Sequence, residues 1–128
     1  MSPPAGLDRA DGFERAAQLE DVPPDGLLGV RLAGAGAVCL IRCGDAVYAV
    51  TDECTHQAFP MSAGLAHRGP RGCELECVWH GARFDAATGA VRQGPALDPL
   101  PVLEVRVEGG EVWVRSRRRL QSHGQATH

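Results

Sequence analysis

Two short stretches of the chain each set a thiol beside an imidazole: Cys54-Thr55-His56, and Cys77-Val78-Trp79-His80. Thiolate and neutral imidazole are both good transition-metal ligands, so Cys54, His56, Cys77 and His80 could close a four-coordinate metal site. Two kinds of centre must be separated. Zinc accepts two thiolates and two imidazoles, but its usual finger layout supplies a cysteine pair and then a histidine pair. Here each stretch supplies one of each. That mixture suits a cluster of two irons, in which one iron takes both thiolates and the other both imidazoles. Each stretch must then reach both irons, which requires its thiol and imidazole to be close together. Turn residues follow each stretch, Pro60 after the first and Gly81 after the second, so both ligand pairs belong on loops.

The elements that hold those loops read as strands. "LLGVRL" places Leu28, Val30 and Leu32 on one face, and "AVCLIRC" and "AVYAVT" are β-rich runs joined by Gly44-Asp45, a two-residue hairpin signal. Near the end, "VLEVRVE" alternates Leu103, Val105 and Val107 against Glu104, Arg106 and Glu108, and Gly109-Gly110 turns the chain into "EVWVR". No long amphipathic helix is evident. The fold expected is all-β, an antiparallel β-sandwich or small barrel. From Asp52 to Pro101 the strand pattern gives way to loops rich in Gly, Pro, Cys and His, and such irregular length inside a compact domain usually carries function. The organisation expected is a flexible N-terminus over 1–12 and one domain over 13–115. A cluster-binding subdomain is inserted at about 52–101, and a flexible basic tail covers 116–128.

Length and composition exclude other classes. The chain has 128 residues, 44% apolar and 23% charged, with a net charge of −3, which gives one ordinary soluble domain with no bias toward nucleic acid or an anionic membrane. No apolar run approaches the length of a membrane span, and the N-terminus lacks the layout of a secretory signal, so a cytoplasmic monomer is expected. Five cysteines without a signal sequence argue for metal binding or packing rather than a disulfide framework. Cys39 and Cys43 lie about 13 Å apart along one strand and cannot bond each other, so both read as packing residues, as does Cys73. His67, His123 and His128 read as solvated, and Trp113 as partly exposed on the last hairpin.

The motifs C-x-H at Cys54–His56 and C-x-x-H at Cys77–His80, separated by 20 residues, resemble the Rieske [2Fe–2S] signature. The likeness runs from about Gly26 to Arg115. "HGARFDAATG" and "GPALDPLP" are similar to the corresponding stretches of bacterial dioxygenase-type ferredoxins. The resemblance implies one [2Fe–2S] cluster, with Cys54 and Cys77 on a buried iron and His56 and His80 on the outer one, covered by a proline-rich loop at Gly94–Pro101. It makes Gly81 and the residues after His56 candidates for hydrogen bonds to the cluster sulfurs.

Departures from the cytochrome bc type of Rieske protein bear on the potential. That type clips its two loops with a disulfide, and Phe59 and Trp79 stand at those positions. It also carries a serine and a tyrosine whose hydroxyls bond a sulfide and a cysteine sulfur, where this chain has Ala82 and Phe84. Fewer donors stabilise the reduced cluster less, so the potential is expected near the low end of the roughly −150 to +300 mV range of such centres. Val78 replaces a common proline with little consequence for ligation.

No set of residues for nucleophilic, phosphoryl or carboxylate-pair chemistry is evident, so the chain reads as an electron-transfer component and not an enzyme. The resemblance implies a carrier between a flavin-dependent ferredoxin reductase and a terminal Rieske oxygenase acting on aromatic rings, with transient contacts through the histidine tip. The alternatives are a Rieske-like small subunit of a nitrite reductase or other redox enzyme, and a zinc-stabilised interaction module.

Overall fold

A computed structural model describes residues 12–52, 60–70, 72–77, 81–94 and 99–116. Within them the chain forms β1 (Glu14–Gln18), β2 (Leu27–Leu32), β3 (Gly36–Cys43), β4 (Ala46–Thr51), β5 (Leu65–Gly69), β6 (Gly72–Glu76), β7 (Arg83–Asp85), β8 (Val91–Gln93), β9 (Val102–Glu108) and β10 (Glu111–Arg115). Two antiparallel sheets result. One has six strands in the order β1-β10-β9-β4-β3-β2, the other four in the order β5-β6-β7-β8. The all-β architecture expected from the alternating runs is the one observed.

Strand β3 explains how the sheets meet. Its centre, Val38 to Ile41, is fully buried on both faces, as its unbroken apolar run requires. Val38 and Leu40 pack with Leu32, Ala49, Leu103, Val112 and Val114 inside the six-stranded sheet. Cys39 and Ile41 point the other way, into a second core with Val50, Met61, Leu75, Cys77, Ala82, Phe84 and Leu100. One strand thus floors both cores, and the four-stranded sheet sits on the outer face of the barrel-like one.

The seam between the edge strands β1 and β2 is closed by a side chain. Glu14, nearly buried, accepts hydrogen bonds from the backbone N–H groups of Gly34 and Ala35, each at 2.9 Å. Both carboxylate oxygens are thereby satisfied without a ladder, which avoids the cost of burying an unpaired charge.

Four expectations need correction. The stretch from Asp52 to Pro101 is not all loop, because β5 to β8 lie within it. Cys43 and Cys73 are not simple packing residues, since they form a disulfide between the sheets. His67 is not solvated in a loop: it lies in β5 with its Nε2 2.5 Å from Glu76 Oε1. Val107 also leaves the core and is 44% exposed. Strand β9 pairs with β4 only at Leu103 and Val102, so its far end runs past β4 and is paired with β10, Val107 opposite Val112. Trp113 is half-buried on β10, as its alternation implies. The tails at 1–11 and 117–128, with His123 and His128, lie outside the described residues.

Candidate metal centre

Strand β6 alternates Cys73, Leu75 and Cys77 inward against Glu74 and Glu76, and it delivers Cys77 to the end of the four-stranded sheet. Cys77 is 1% exposed. Its backbone N–H donates to Ala82 O at 2.8 Å, which closes the root of the loop that carries His80. Gly81 takes a positive φ of 71° at that turn, a conformation that costs a side-chain-bearing residue free energy. The Gln93 amide donates to Gly81 O at 3.2 Å and ties the turn to β8.

The other ligand loop has its own clasp. Asp52 Oδ1 accepts from the Ser62 backbone N–H and Oδ2 from its hydroxyl, both at 2.6 Å. The charged acceptor makes both bonds strong. These bonds join the two stems of the segment bearing Cys54 and His56. The chain then passes through Met61–Ala63 as one 3₁₀ turn and reaches Gly64, which lies against the Glu76 carbonyl, next to Cys77. Removing the clasp with Asp52→Ala is expected to lower stability by about 1.5–3 kcal/mol and to hasten cluster loss, read by urea unfolding and by iron release to a chelator.

The third loop returns to the same place. Leu100 N–H donates to Gly89 O at 2.8 Å, and Thr51 N–H donates to Pro101 O at 3.0 Å. Met61, Cys77, Ala82 and Leu100 therefore belong to one buried cluster, and the stems of all three loops converge on it. Cys54, His56 and His80 lie outside the described residues, as do Phe59, Val78, Trp79 and residues 95–98 of the proline-rich loop. A buried thiol on an apolar floor, at the root of a hydrogen-bonded turn, fits an iron ligand shielded from water.

The charged groups near Cys77 are paired with one another. Arg83 lies 3.4 Å from Glu74 and 3.6 Å from Glu76, and His67 meets Glu76 as well. Further along, burial pushes the Asp85 carboxyl up. Hydrogen bonds from the Thr88 hydroxyl and N–H and the Arg92 guanidinium outweigh that effect and leave it below its ordinary value. Its stabilising contribution is therefore present above the unfolded carboxyl pKa of about 3.9 and disappears as pH falls below it. Cys39 differs from a metal ligand: burial, then the Asp52 carboxylate, pushes its thiol far above the ordinary value, which makes it inert.

Residues 13–104 match the family model for the Rieske [2Fe–2S] domain. The chain belongs to the Rieske family. It accordingly carries one Rieske [2Fe–2S] cluster. It is 35% identical over 99 residues, 77% of this chain and 89% of the relative, to "Ferredoxin CarAc" of Metapseudomonas resinovorans. Among solved structures, the ferredoxin of carbazole 1,9a-dioxygenase from Nocardioides aromaticivorans IC177 superposes with a TM-score of 0.75 at 31% identity, over 82% of this chain and 98% of that one. A chain from a complex of reduced oxygenase and oxidized ferredoxin in carbazole 1,9a-dioxygenase gives 0.73 at 34% identity, over 81% and 93%. The Rieske chain described here thus has ferredoxins as relatives along almost their full length.

The motifs single out Cys77, which the structure places buried at the end of the four-stranded sheet. The Asp52–Ser62 clasp and the Cys43–Cys73 bridge escaped sequence reading because both join residues distant in the chain. Strand β6 did carry a signal, since Cys73, Leu75 and Cys77 alternate cleanly with two glutamates.

Proposed function

We propose that this Rieske ferredoxin, with its domain over 13–115, is a soluble one-electron carrier. It takes electrons from a flavin-dependent reductase and passes them to a terminal Rieske oxygenase. Its ligands are Cys54 and Cys77 on one iron and His56 and His80 on the other. The observation that carries this reading is the convergence of the three loop stems on buried Cys77, together with relatives that are ferredoxins over nearly their whole length. When bound, the cluster supplies a one-electron couple. The protein's part is to seat it, with Met61, Ala82 and Leu100 excluding water from the cysteine side. All four ligands come from the chain, which leaves no iron position open to a substrate and fits transfer rather than catalysis. No helix of the described residues is long and apolar enough to cross a membrane.

The purified protein is expected to contain two irons and two acid-labile sulfides per chain and to give a reduced-state EPR signal. Stoichiometric zinc in a colourless, folded sample from iron-replete cells would overturn the assignment. Co-purification as a fixed subunit of a larger redox enzyme would instead favour the accessory-subunit reading.

The oxygenase as partner is supported by the solved oxygenase–ferredoxin complex among the structural relatives. Contact through the histidine tip, rimmed by Gln57, Phe59, Pro60 and Trp79, follows from the insulation of the opposite side by the two sheets. A carrier must dissociate after each transfer, so its contact is small and depends on few aromatic anchors. Trp79→Ala is therefore expected to slow reduction of the cognate oxygenase by about tenfold with cluster content and potential unchanged. Stopped-flow mixing measures this, and equal rates at equal potential would place docking elsewhere.

A further inference from the structure

The two sheets are joined covalently at one place among the described residues. Cys43 ends β3 on the face that also carries Cys39 and Ile41, and Cys73 opens the inward face of β6 that ends at Cys77. Their Cα atoms are 6.4 Å apart and their sulfurs are bonded, within the span that a disulfide bridges. The bond closes a loop 30 residues long in sequence separation, and that loop contains Cys54 and His56. Four residues further along β6 stands Cys77. One sheet thus carries the bridge at one end of an inner face and a cluster ligand at the other.

The sheets otherwise meet through the apolar core that Cys39, Ile41 and Val50 share with Leu75, Cys77 and Phe84, and the polar contacts near the bridge are weak. Asp25 accepts from the Gly44 backbone N–H at 3.0 Å and pairs with Arg68 of β5 at 3.3 Å. That ion pair is more than half exposed on the arginine side, and such pairs contribute little. The Arg68 guanidinium also lies over Gly44, 3.0 Å from where a Cβ would stand. Cys43 is half-buried and Cys73 nearly buried, so Cys43 is the sulfur that solvent species reach.

We propose that Cys43 and Cys73 form a redox-responsive staple that holds the cluster-bearing sheet on the barrel and sets how fast the cluster is lost. The oxidant is a low-molecular-weight disulfide. The Cys43 thiolate attacks it, its S–S bond breaks, and one small thiol leaves. The Cys73 thiolate then attacks the Cys43 sulfur in the mixed disulfide and releases the second small thiol. Two protein thiols and one small disulfide become one protein disulfide and two small thiols. A dithiol reductant reverses the exchange. Closing the loop restricts the chain wherever the sheets separate, so the oxidised form retains its cluster longer. The bridge lies about 13 Å along the strand from Cys77 and leaves the potential unchanged.

The proposal concerns the cluster and rests on the Rieske assignment, so the test reads the disulfide separately. Holoprotein is incubated anaerobically with glutathione disulfide or with dithiothreitol. Thiols are alkylated and mapped by mass spectrometry, and iron release to a chelator and urea unfolding are followed. A Cys43–Cys73 disulfide is expected after the first treatment and two alkylated thiols after the second. The reduced form is expected to release iron at least about fivefold faster and to unfold at lower urea, with the same potential by voltammetry. Cys43→Ala and Cys73→Ala should behave as the reduced form whatever the treatment. Free thiols at both positions after glutathione disulfide would overturn the proposal. So would equal iron-release rates for the two forms.

Discussion

Gly64→Ala is expected to deprive most of the expressed protein of its cluster and to lower its stability by several kcal/mol. A Cβ at this position would stand 2.0 Å from the carbonyl oxygen of Glu76 and 3.1 Å from its carbon. Both are backbone atoms, so no rotamer change relieves the overlap. The φ of −90° at Gly64 is not left-handed, so the demand for glycine here comes chiefly from close approach. Two backbones press together at that point because the β5–β6 ladder begins there, with Leu65 opposite Glu76, and Cys77 follows at once. Relief requires pulling the ladder apart next to the buried Cys77 thiol, the proposed ligand. Overpacking a well-filled site typically costs about 1–3 kcal/mol, and displacement of a ligand strand adds the loss of cluster binding. Against a total stability of about 5–15 kcal/mol, that is a large fraction. Iron content below half that of the wild type, together with a lower urea midpoint for the metal-depleted protein, is the expected result. Full iron occupancy at an unchanged midpoint would show that the two backbones are not in contact in solution.

What the sequence made legible follows from where its information is local. Strands β2, β3, β4, β9 and β10 were each readable because alternation or an apolar run sits within one stretch, and the Gly44-Asp45 and Gly109-Gly110 turns lie where they were expected. Strand β1, "ERAAQ", offered no such pattern: its alanines are small, and its place at the barrel seam is fixed by Glu14 reaching the Gly34 and Ala35 N–H groups. Strands β7 and β8 are three residues each, too short for periodicity to register; β7 forms on β6, and β8 on β7. The pairing of Cys43 with Cys73 is invisible locally, since it depends on one face of β3 meeting one face of β6. The ligand motifs were legible for the opposite reason, because thiol and imidazole must lie within a few residues of each other to reach two irons.

Replacing His56 by Cys is expected to leave a cluster in place but to lower its potential by on the order of 100 mV. The argument is one of charge. A neutral imidazole holds the iron without adding charge, whereas a thiolate adds one negative charge to the site that must accept the electron. Rieske centres, with two imidazoles, lie at roughly −150 to +300 mV, against about −400 mV for plant-type ferredoxins with cysteine ligands only. Two ligand exchanges therefore span at least about 250 mV, and one exchange takes about half. The surroundings give this chain little to offset the change. Ala82 and Phe84 are fully buried and carry no hydroxyl, so neither can donate a hydrogen bond to a sulfur and spread the added charge. The apolar floor of Met61, Ala82 and Leu100 keeps water from doing so on the cysteine side. The potential then falls from the Rieske range toward that of cysteine-ligated clusters, and a reductase matched to the wild type is expected to reduce the variant only in part. Protein-film voltammetry reads the shift directly, and EPR of the dithionite-reduced variant confirms that a two-iron cluster is being measured. An intact cluster with an unchanged potential would mean that His56 does not ligate the iron that takes up the electron.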